Sequence, residues 1–199
     1  VLLLGASIRC SLTSGVLPTN SAIVVAVEVA LNKDSIILDA GTGSGAACCY
    51  FAHLCKEVHT FDIEEEHIEI SKDNAKFLNL KNIAFNKSDI TKEGFKGIQD
   101  NFADVVFLDF VSPWEALEES YRVLKRGGFL VVYNPQITQI VRLREEYDNL
   151  NSKDKNSDKF ISFKTIEIIE RLWKIEEQRA RPSFNKIGHS GFVSFMRKV

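Results

Sequence analysis

The chain has 199 residues, of which 45% are hydrophobic, so it is long enough for one full α/β core but not for two ordinary domains. Its 25 Lys and Arg residues nearly balance its 27 Asp and Glu residues, and the net charge of -2 provides no overall attraction to nucleic acid or to an anionic membrane. Any contact with RNA must therefore depend on a local basic patch or on a partner subunit.

The first residues, VLLLGAS, form an apolar run that is too short to span a membrane, and no basic segment precedes it. We therefore expect neither a transmembrane helix nor a secretory signal. The chain does not begin with Met, which suggests that an upstream segment is missing. We interpret residues 1–15 as a linker or the remnant of an N-terminal β-domain, and residues 16–199 as one domain.

Apolar strand-like runs alternate with helix-like segments from residue 35 onward, which predicts a mostly parallel sheet with helices on both faces. Strands are predicted at 35–40, 57–63, 82–90, 103–110 and 128–134. Helices are predicted between them, at about 44–55, 64–79, 113–125 and 136–150. A polar loop at 151–159 then leads to β-rich segments at 160–175 and 191–199, which we expect to form an antiparallel edge of the sheet.

The four cysteines are at positions 10, 48, 49 and 55, and three of them lie in one predicted helix near His53. No second pair of cysteines is available to complete a tetrahedral set of metal ligands. We therefore expect reduced thiols in the core, a reducing cytosolic environment, and no metal site.

The stretch DAGTGSG, residues 39–45, ends the first predicted strand and opens a helix. Its three glycines allow a sharp turn and a close approach of the backbone to a ligand. The spacing differs from the G-x-G-x-x-G of dinucleotide-binding loops, and no G-K-[ST] follows as in a P-loop. Asp39, just before the first glycine, favours a cationic cofactor over a pyrophosphate.

Four predicted strands in succession end in an aspartate: Asp39, Asp62, Asp89 and Asp109. Each could simply cap a helix or a turn. Together they lie at the carboxyl edge, where open α/β sheets bind ligands, and a carboxylate such as that of Asp62 can accept hydrogen bonds from ribose hydroxyls. Asp89 is suited to the amino group of adenine.

This arrangement resembles the class I S-adenosylmethionine (SAM)-dependent methyltransferases, with their Rossmann-like α/β fold and a seven-stranded, mostly parallel sheet closed by an antiparallel C-terminal strand. The resemblance implies SAM as cofactor. The implied cofactor-binding residues are Asp39, Gly41, Thr42, Gly43, Ser44, Gly45, Asp62, Ile63, Asp89 and Ile90.

The fourth strand ends in DFVSPWEAL, residues 109–117, and the chain closes on RARPSFNKIGHSGFVSFMRK. Together these stretches resemble the tRNA (adenine-58-N1)-methyltransferase family. The resemblance implies formation of N1-methyladenosine at position 58 of the T-loop of tRNA, with adenine 57 as a further candidate. It also implies a cytoplasmic enzyme that forms a homotetramer or assembles with a noncatalytic paralogous subunit.

The same resemblance assigns roles to individual residues. Asp109 is the catalytic candidate, because it could accept a hydrogen bond from the adenine amino group. The substrate-binding candidates are Pro113, Trp114, Arg181 and His189. Trp114 is equally suited to packing at the start of a helix, and His189, between glycines, to a turn.

Two other functions fit parts of the sequence. The glycine loop and the acids would serve a methyltransferase acting on a small molecule equally well, and a noncatalytic SAM-fold subunit could hold RNA for a partner.

Val111 stands where the family usually has a proline, in the loop that would contact the target base.

Overall fold

The computed structural model describes residues 24–25, 28–152, 159–169, 171, 173–182 and 191–199. The predicted linker at 1–15 and His189 lie outside these residues, as do residues 153–158 of the predicted loop at 151–159.

Nine strands are assigned in the described part of the chain: β1 (Ile36–Ala40), β2 (Glu57–Asp62), β3 (Ile83–Lys87), β4 (Ala103–Leu108), β5 (Leu124–Asn134), β6 (Phe160–Ile168), β7 (Trp173–Glu176), β8 (Arg179–Pro182) and β9 (Gly191–Lys198). Seven of them form one sheet in the order β3-β2-β1-β4-β5-β9-β6. β1 to β5 pair in parallel, and β9 is antiparallel to both β5 and β6. The predicted seven-stranded sheet with an antiparallel C-terminal strand is therefore confirmed.

The helices are α1 (Ala46–Ala52), α2 (Glu65–Phe77), α3 (Ile90–Glu93), α4 (Leu117–Val123) and α5 (Ile137–Ser152), with a 3-10 helix at Pro113–Ala116 before α4. All but the short α3 correspond to helices predicted from the sequence. In α2, the buried residues are Ile68, Ser71 and Ala75, at the helical spacing expected for one inward face. Glu65 and Glu66 lie in the first turn of α2, where carboxylates interact favourably with the helix dipole.

Apolar side chains on alternate positions of the central strands fill two cores, one on each face of the sheet. On β4, Val106 and Leu108 pack with residues of α4 and α5, whereas Val105 and Phe107 pack with residues of α1. The helices therefore cover both faces, as predicted. Phe107 is fully buried and contacts Phe51 of α1 edge to face, so we expect its replacement by Ala to cost about 3 to 5 kcal/mol.

Three of the differences from the predicted boundaries change how the elements are arranged. The third strand ends at Lys87, because Asp89 caps the short α3 instead of continuing the strand. β5 begins at Leu124, four residues early, since an irregularity at Ala103/Val105 lets it pair further along β4. The segment at 160–175 is not one strand: β6 ends at Ile168, and β7 pairs with β8 in a separate antiparallel hairpin.

No helix in the described part of the chain combines the length and the apolar character needed to cross a membrane.

Candidate active site

The loop that joins β1 to α1, residues 41–45, has three glycines with positive φ angles. Gly41, Gly43 and Gly45 have φ angles of +96°, +50° and +81°, a region that residues with a side chain rarely adopt. The N–H groups of Gly41 and Thr42 both donate to the carbonyl oxygen of Phe61, at 2.9 and 3.2 Å. The side chain of Asn74 on α2 donates to the carbonyl oxygen of Ser44 at 2.9 Å, which ties the loop to the neighbouring helix.

A buried chain of hydrogen bonds connects the loop with Asp39. The hydroxyl of Thr60 donates to Oδ2 of Asp39 at 2.6 Å, and the hydroxyls of Thr42 and Thr60 are 2.6 Å apart. Because Thr60 has a single hydroxyl proton, Thr42 must be the donor of the second bond when Asp39 is ionised. The direction of the chain is then fixed, from Thr42 through Thr60 to Asp39.

Asp39 is almost completely buried, and its Oδ1 has no hydrogen-bond partner within the described chain. Burial raises the pKa of Asp39 to about 7, the Thr60 hydroxyl opposes this increase, and the nearby carboxylates of Asp109 and Asp62 add to it. A buried carboxylate with one unsatisfied oxygen is suited to receive a cationic ligand group.

Asp62 holds the glycine loop from the end of β2. Its Oδ2 accepts from the N–H of Gly43 at 2.9 Å, and its Oδ1 accepts from the N–H of Glu64 at 3.0 Å. Nδ1 of His67 on α2 lies 3.2 Å from both oxygens. Asp62 therefore has a structural role at the turn, and lone pairs remain on its carboxylate for a ligand hydroxyl.

Asp89 is the N-cap of α3. Its Oδ1 accepts from both the N–H and the hydroxyl of Thr91, at 3.1 and 2.6 Å, and its Oδ2 accepts from Nζ of Lys92 at 2.7 Å. These bonds, chiefly that from Lys92, lower the pKa of Asp89 to about 2. Asp89 is thus an ionised acceptor whose Oδ2 keeps bonding capacity towards a ligand.

A cavity of about 250 Å³ lies at the carboxyl edge of the sheet, beside the glycine loop. Five of the predicted cofactor-binding residues line it: Gly41, Asp62, Ile63, Asp89 and Ile90. Phe110, Val111 and Ser112, which follow Asp109, form another part of the wall. Asp39, Thr42, Gly43, Ser44 and Gly45 do not line the cavity, but they belong to β1 and the loop that continues from it.

Asp109 lies between the cavity wall and the glycine loop. Its N–H donates to the carbonyl oxygen of Ala40 at 2.8 Å, so β4 continues its pairing with β1 up to this residue. Burial raises the pKa of the Asp109 carboxyl to about 7. The charge of Asp109 also contributes, after burial, to a raised pKa of Tyr133 on β5. Among the described residues, no Lys or Arg pairs with Asp109.

The predicted substrate-binding residues are less closely grouped. Pro113 is buried at the start of the 3-10 helix, and Trp114 is half-buried and packs against the core. This packing is the alternative that the sequence left open for Trp114. Arg181 is exposed on β8 and does not line the cavity.

Sequence reasoning missed three polar residues at this edge: Thr60, His67 and Ser88. Thr60 is directly opposite Asp39 in the β1/β2 register, and no sequence signal distinguishes it from the other polar residues of β2. Ser88 lines the cavity and its Oγ is buried without a partner within the described chain. No sequence signal distinguishes it from an ordinary loop serine.

Cys48, Cys49 and Cys55 are buried in the core and carry free thiols. Within the described ranges, no group of three or more His, Cys, Asp or Glu side chains could hold a metal ion.

Comparison with known proteins identifies relatives over most of the chain. A family model described as "tRNA methyltransferase complex GCD14 subunit" matches residues 14–187. The tRNA (adenine(58)-N(1))-methyltransferase TrmI of Thermus thermophilus is 28% identical over 166 residues, which cover 81% of this chain and 61% of that protein. This chain thus spans about three fifths of the length of that curated relative.

Two solved structures share the fold. The crystal structure of the tRNA (m1A58) methyltransferase TrmI from Aquifex aeolicus superposes with a TM-score of 0.80 at 28% identity, covering 92% of this chain and 70% of the other. A SAM-dependent O-methyltransferase from Thermotoga maritima gives a TM-score of 0.79 at 25% identity, covering 90% and 65%. The predicted Rossmann-like class I methyltransferase fold is therefore confirmed.

Proposed function

This chain belongs to the tRNA methyltransferase complex GCD14 subunit family, and on that basis we propose that it is a SAM-dependent enzyme that methylates N1 of adenine in tRNA, at position 58 of the T-loop. The membership agrees with the resemblance indicated by the sequence motifs. The observation that carries the proposal is Asp109, a carboxylate without a cationic partner among the described residues, next to both the glycine loop and the cavity wall.

The cofactor is supported by the chemistry of the site. SAM supplies a methyl group on a positively charged sulfur and carries a second positive charge on its amino group. The unsatisfied Oδ1 of Asp39 and the raised pKa values of Asp39 and Asp109 fit such a cation, because a bound positive charge would stabilise both ionised carboxylates. A side chain at position 41 would collide with the backbone of Asp109, so a glycine there lets the ends of β1 and β4 approach each other beside the cavity.

Within this proposal, different residues around the cavity bind different parts of the cofactor. Asp62 receives the ribose hydroxyls, and Asp89 receives the adenine amino group with its remaining Oδ2 lone pair. Ile63 and Ile90 cover the ring, and Ile63 is exposed in this structure. The loop residues Thr42, Gly43, Ser44 and Gly45 complete the cofactor site.

Asp109 then acts on the acceptor. Adenine N1 carries a lone pair that attacks the methyl group directly, so the enzyme needs to orient the base and stabilise the positive charge that develops on the ring. An ionised Asp109 accepts a hydrogen bond from the exocyclic amino group as that charge grows. A contact of this kind contributes on the order of 2 to 4 kcal/mol to the transition state.

The remaining assignments complete the proposal. Residues 16–199 form the methyltransferase domain, and Pro113, Trp114, Arg181 and His189 contact the tRNA. The enzyme assembles as a homotetramer or with a noncatalytic paralogue, in the cytoplasm. The complete glycine loop and Asp109 favour a catalytic rather than a noncatalytic subunit.

Mass-spectrometric mapping of modified nucleosides tests the function. The purified protein is incubated with SAM and an unmodified tRNA transcript, and with a transcript carrying guanine at position 58 as the control. We expect N1-methyladenosine at position 58 in the first transcript only. Methylation of neither transcript, combined with SAM binding, would instead favour a small-molecule methyltransferase. The absence of SAM binding would favour a noncatalytic subunit.

A further inference from the structure

Ser88 lies in the wall of the cavity, next to Asp89. It follows the last residue of β3, and its N–H donates to the carbonyl oxygen of Asp62 at 3.0 Å. The residue is 6% exposed and lines the cavity. Its Oγ is buried and has no hydrogen-bond partner within the described part of the chain.

A buried hydroxyl without a partner is uncommon, because the loss of its hydrogen bonds to water costs about 1 to 3 kcal/mol. The cost is removed when a ligand supplies the missing partner. Because Ser88 lines the cavity, a ligand bound there is a source of the missing partner.

The neighbouring polar side chains are already engaged. Oδ1 of Asp89 accepts two hydrogen bonds from Thr91, and Oδ2 accepts one from Lys92. Asp62 accepts from the backbone N–H groups of Gly43 and Glu64. Of Asp62, Ser88 and Asp89, only Ser88 keeps its full hydrogen-bonding capacity, and only Ser88 can donate a proton, since the two ionised carboxylates are acceptors.

We infer that the hydroxyl of Ser88 donates a hydrogen bond to a ring nitrogen of the cofactor's adenine. The inference rests on the proposed function, and it adds Ser88 to the residues that recognise the adenine of the cofactor. Adenine presents an amino donor next to a ring-nitrogen acceptor on one edge. Asp89 and Ser88 both line the cavity, and together they would supply an acceptor and a donor for this edge of adenine.

Titration calorimetry on the purified protein tests the inference. The probes are S-adenosylhomocysteine and 5′-methylthioadenosine, which keeps the nucleoside but lacks the amino-acid portion. In Ser88→Ala, we expect the Kd of both ligands to rise roughly tenfold. In the unsubstituted protein each ligand accepts a hydrogen bond from the buried Ser88 hydroxyl, and this bond is lost in the variant. The melting temperature should not fall, since the hydroxyl makes no bond in the ligand-free protein.

Ser120→Ala is the matched control. Oγ of Ser120 is also buried and without a partner in the described part of the chain, but Ser120 lies on α4 and does not line the cavity. This variant should bind both ligands as tightly as the unsubstituted protein. Ser88→Cys, which keeps a weaker donor, should bind with intermediate affinity.

The outcomes separate the two proposals. If the unsubstituted protein binds both ligands and Ser88→Ala binds them within twofold of it, the assignment of Ser88 is wrong and the cofactor proposal stands. A loss for S-adenosylhomocysteine without a loss for 5′-methylthioadenosine would also overturn the contact with the base. If the unsubstituted protein binds neither ligand nor SAM, both proposals fail.

Discussion

The backbone of Gly41 lies directly against the backbone of Asp109. A Cβ atom added to Gly41 would overlap the carbonyl oxygen of Asp109 and lie 2.8 Å from its carbonyl carbon. The first glycine of the loop therefore sets the distance between the glycine loop and the residue whose carboxylate is proposed to act on the acceptor. This contact joins two motifs that are 68 positions apart in the sequence.

Replacing Gly41 by Ala should disrupt this arrangement. The positive φ alone costs about 1 to 2 kcal/mol for a residue with a side chain. The overlap with the Asp109 backbone adds about 1 to 3 kcal/mol, because neither backbone segment can move without breaking strand pairing. We expect a lower urea midpoint at unchanged m-value and a loss of SAM binding by calorimetry.

Gly43→Ala provides the comparison within the same loop. Gly43 also has a positive φ, but a Cβ there has no neighbour within 4 Å. The stability of this variant should therefore fall only by the cost of the positive φ, without the cost of a steric overlap. Equal losses of stability in Gly41→Ala and Gly43→Ala would show that the contact with Asp109 is unimportant.

Asp109 should control turnover more than cofactor affinity. Replacement by Ala removes the acceptor for the adenine amino group, and we expect kcat to fall about 10² to 10³-fold, with the Kd for SAM changed much less. Asp109→Asn keeps a neutral acceptor and should be intermediate. Single-turnover methylation of tRNA measures the effect, and unchanged turnover in Asp109→Ala would remove this residue from the mechanism.

The same residue gives turnover a pH dependence. Burial raises the pKa of Asp109 to about 7, and only the ionised form accepts the hydrogen bond. The rate under single-turnover conditions should therefore increase as the pH rises from 6 to 8. In Asp109→Asn this increase should be smaller, since position 109 no longer titrates.

The sequence predicted the parts of the structure that depend on local pattern. The alternation of apolar runs located the five parallel strands, and the glycines and aspartates located the edge where a ligand would bind. The boundaries that failed depend on tertiary contacts. Whether Asp89 extends a strand or caps a helix is decided by Thr91 and Lys92 around it, and both choices fit the same residues.

The detailed chemistry of the site was also beyond the sequence, because it depends on register and burial. Thr60 bonds Asp39 only because β1 and β2 pair with these residues opposite each other. Gly41 meets Asp109 because β1 and β4 are neighbours. Pairing between strands that are far apart in the sequence cannot be read from either strand alone.

Asp39 should make the ligand-free protein less stable as the pH rises. Its pKa is about 7 in the folded protein and 3.8 as the reference value, so between these pH values the folded state holds a proton that the unfolded state has released. Stability is therefore greatest below pH 4 for this group and decreases towards pH 7, by up to about 4 kcal/mol in total. Urea unfolding at several pH values measures the slope.

Asp39→Asn should flatten that slope, because position 39 no longer titrates. Asp109→Asn should also reduce the dependence of stability on pH, because the Asp109 carboxyl, whose pKa is raised, is no longer present. The same substitution should lower the pKa of Asp39, because the charge of Asp109 contributes to its increase. A slope in Asp39→Asn equal to that of the unsubstituted protein would contradict the assignment.

Thr60 should determine the pH at which the cofactor binds. Its hydroxyl lowers the pKa of Asp39 by donating to Oδ2, so Thr60→Val should raise that pKa further. Val also leaves the Thr42 hydroxyl and Oδ2 of Asp39 without this partner, which we expect to cost about 1 to 3 kcal/mol of stability.

Because a cation binds the ionised carboxylate, SAM affinity should increase with pH, and the midpoint of this increase should move to higher pH in Thr60→Val. Thr60→Ser keeps the hydroxyl and loses only a methyl group, so its midpoint should match that of the unsubstituted protein. Calorimetric titrations from pH 5.5 to 8.5 distinguish the roles: a purely structural defect in Thr60→Val would weaken binding equally at every pH and leave the midpoint unchanged.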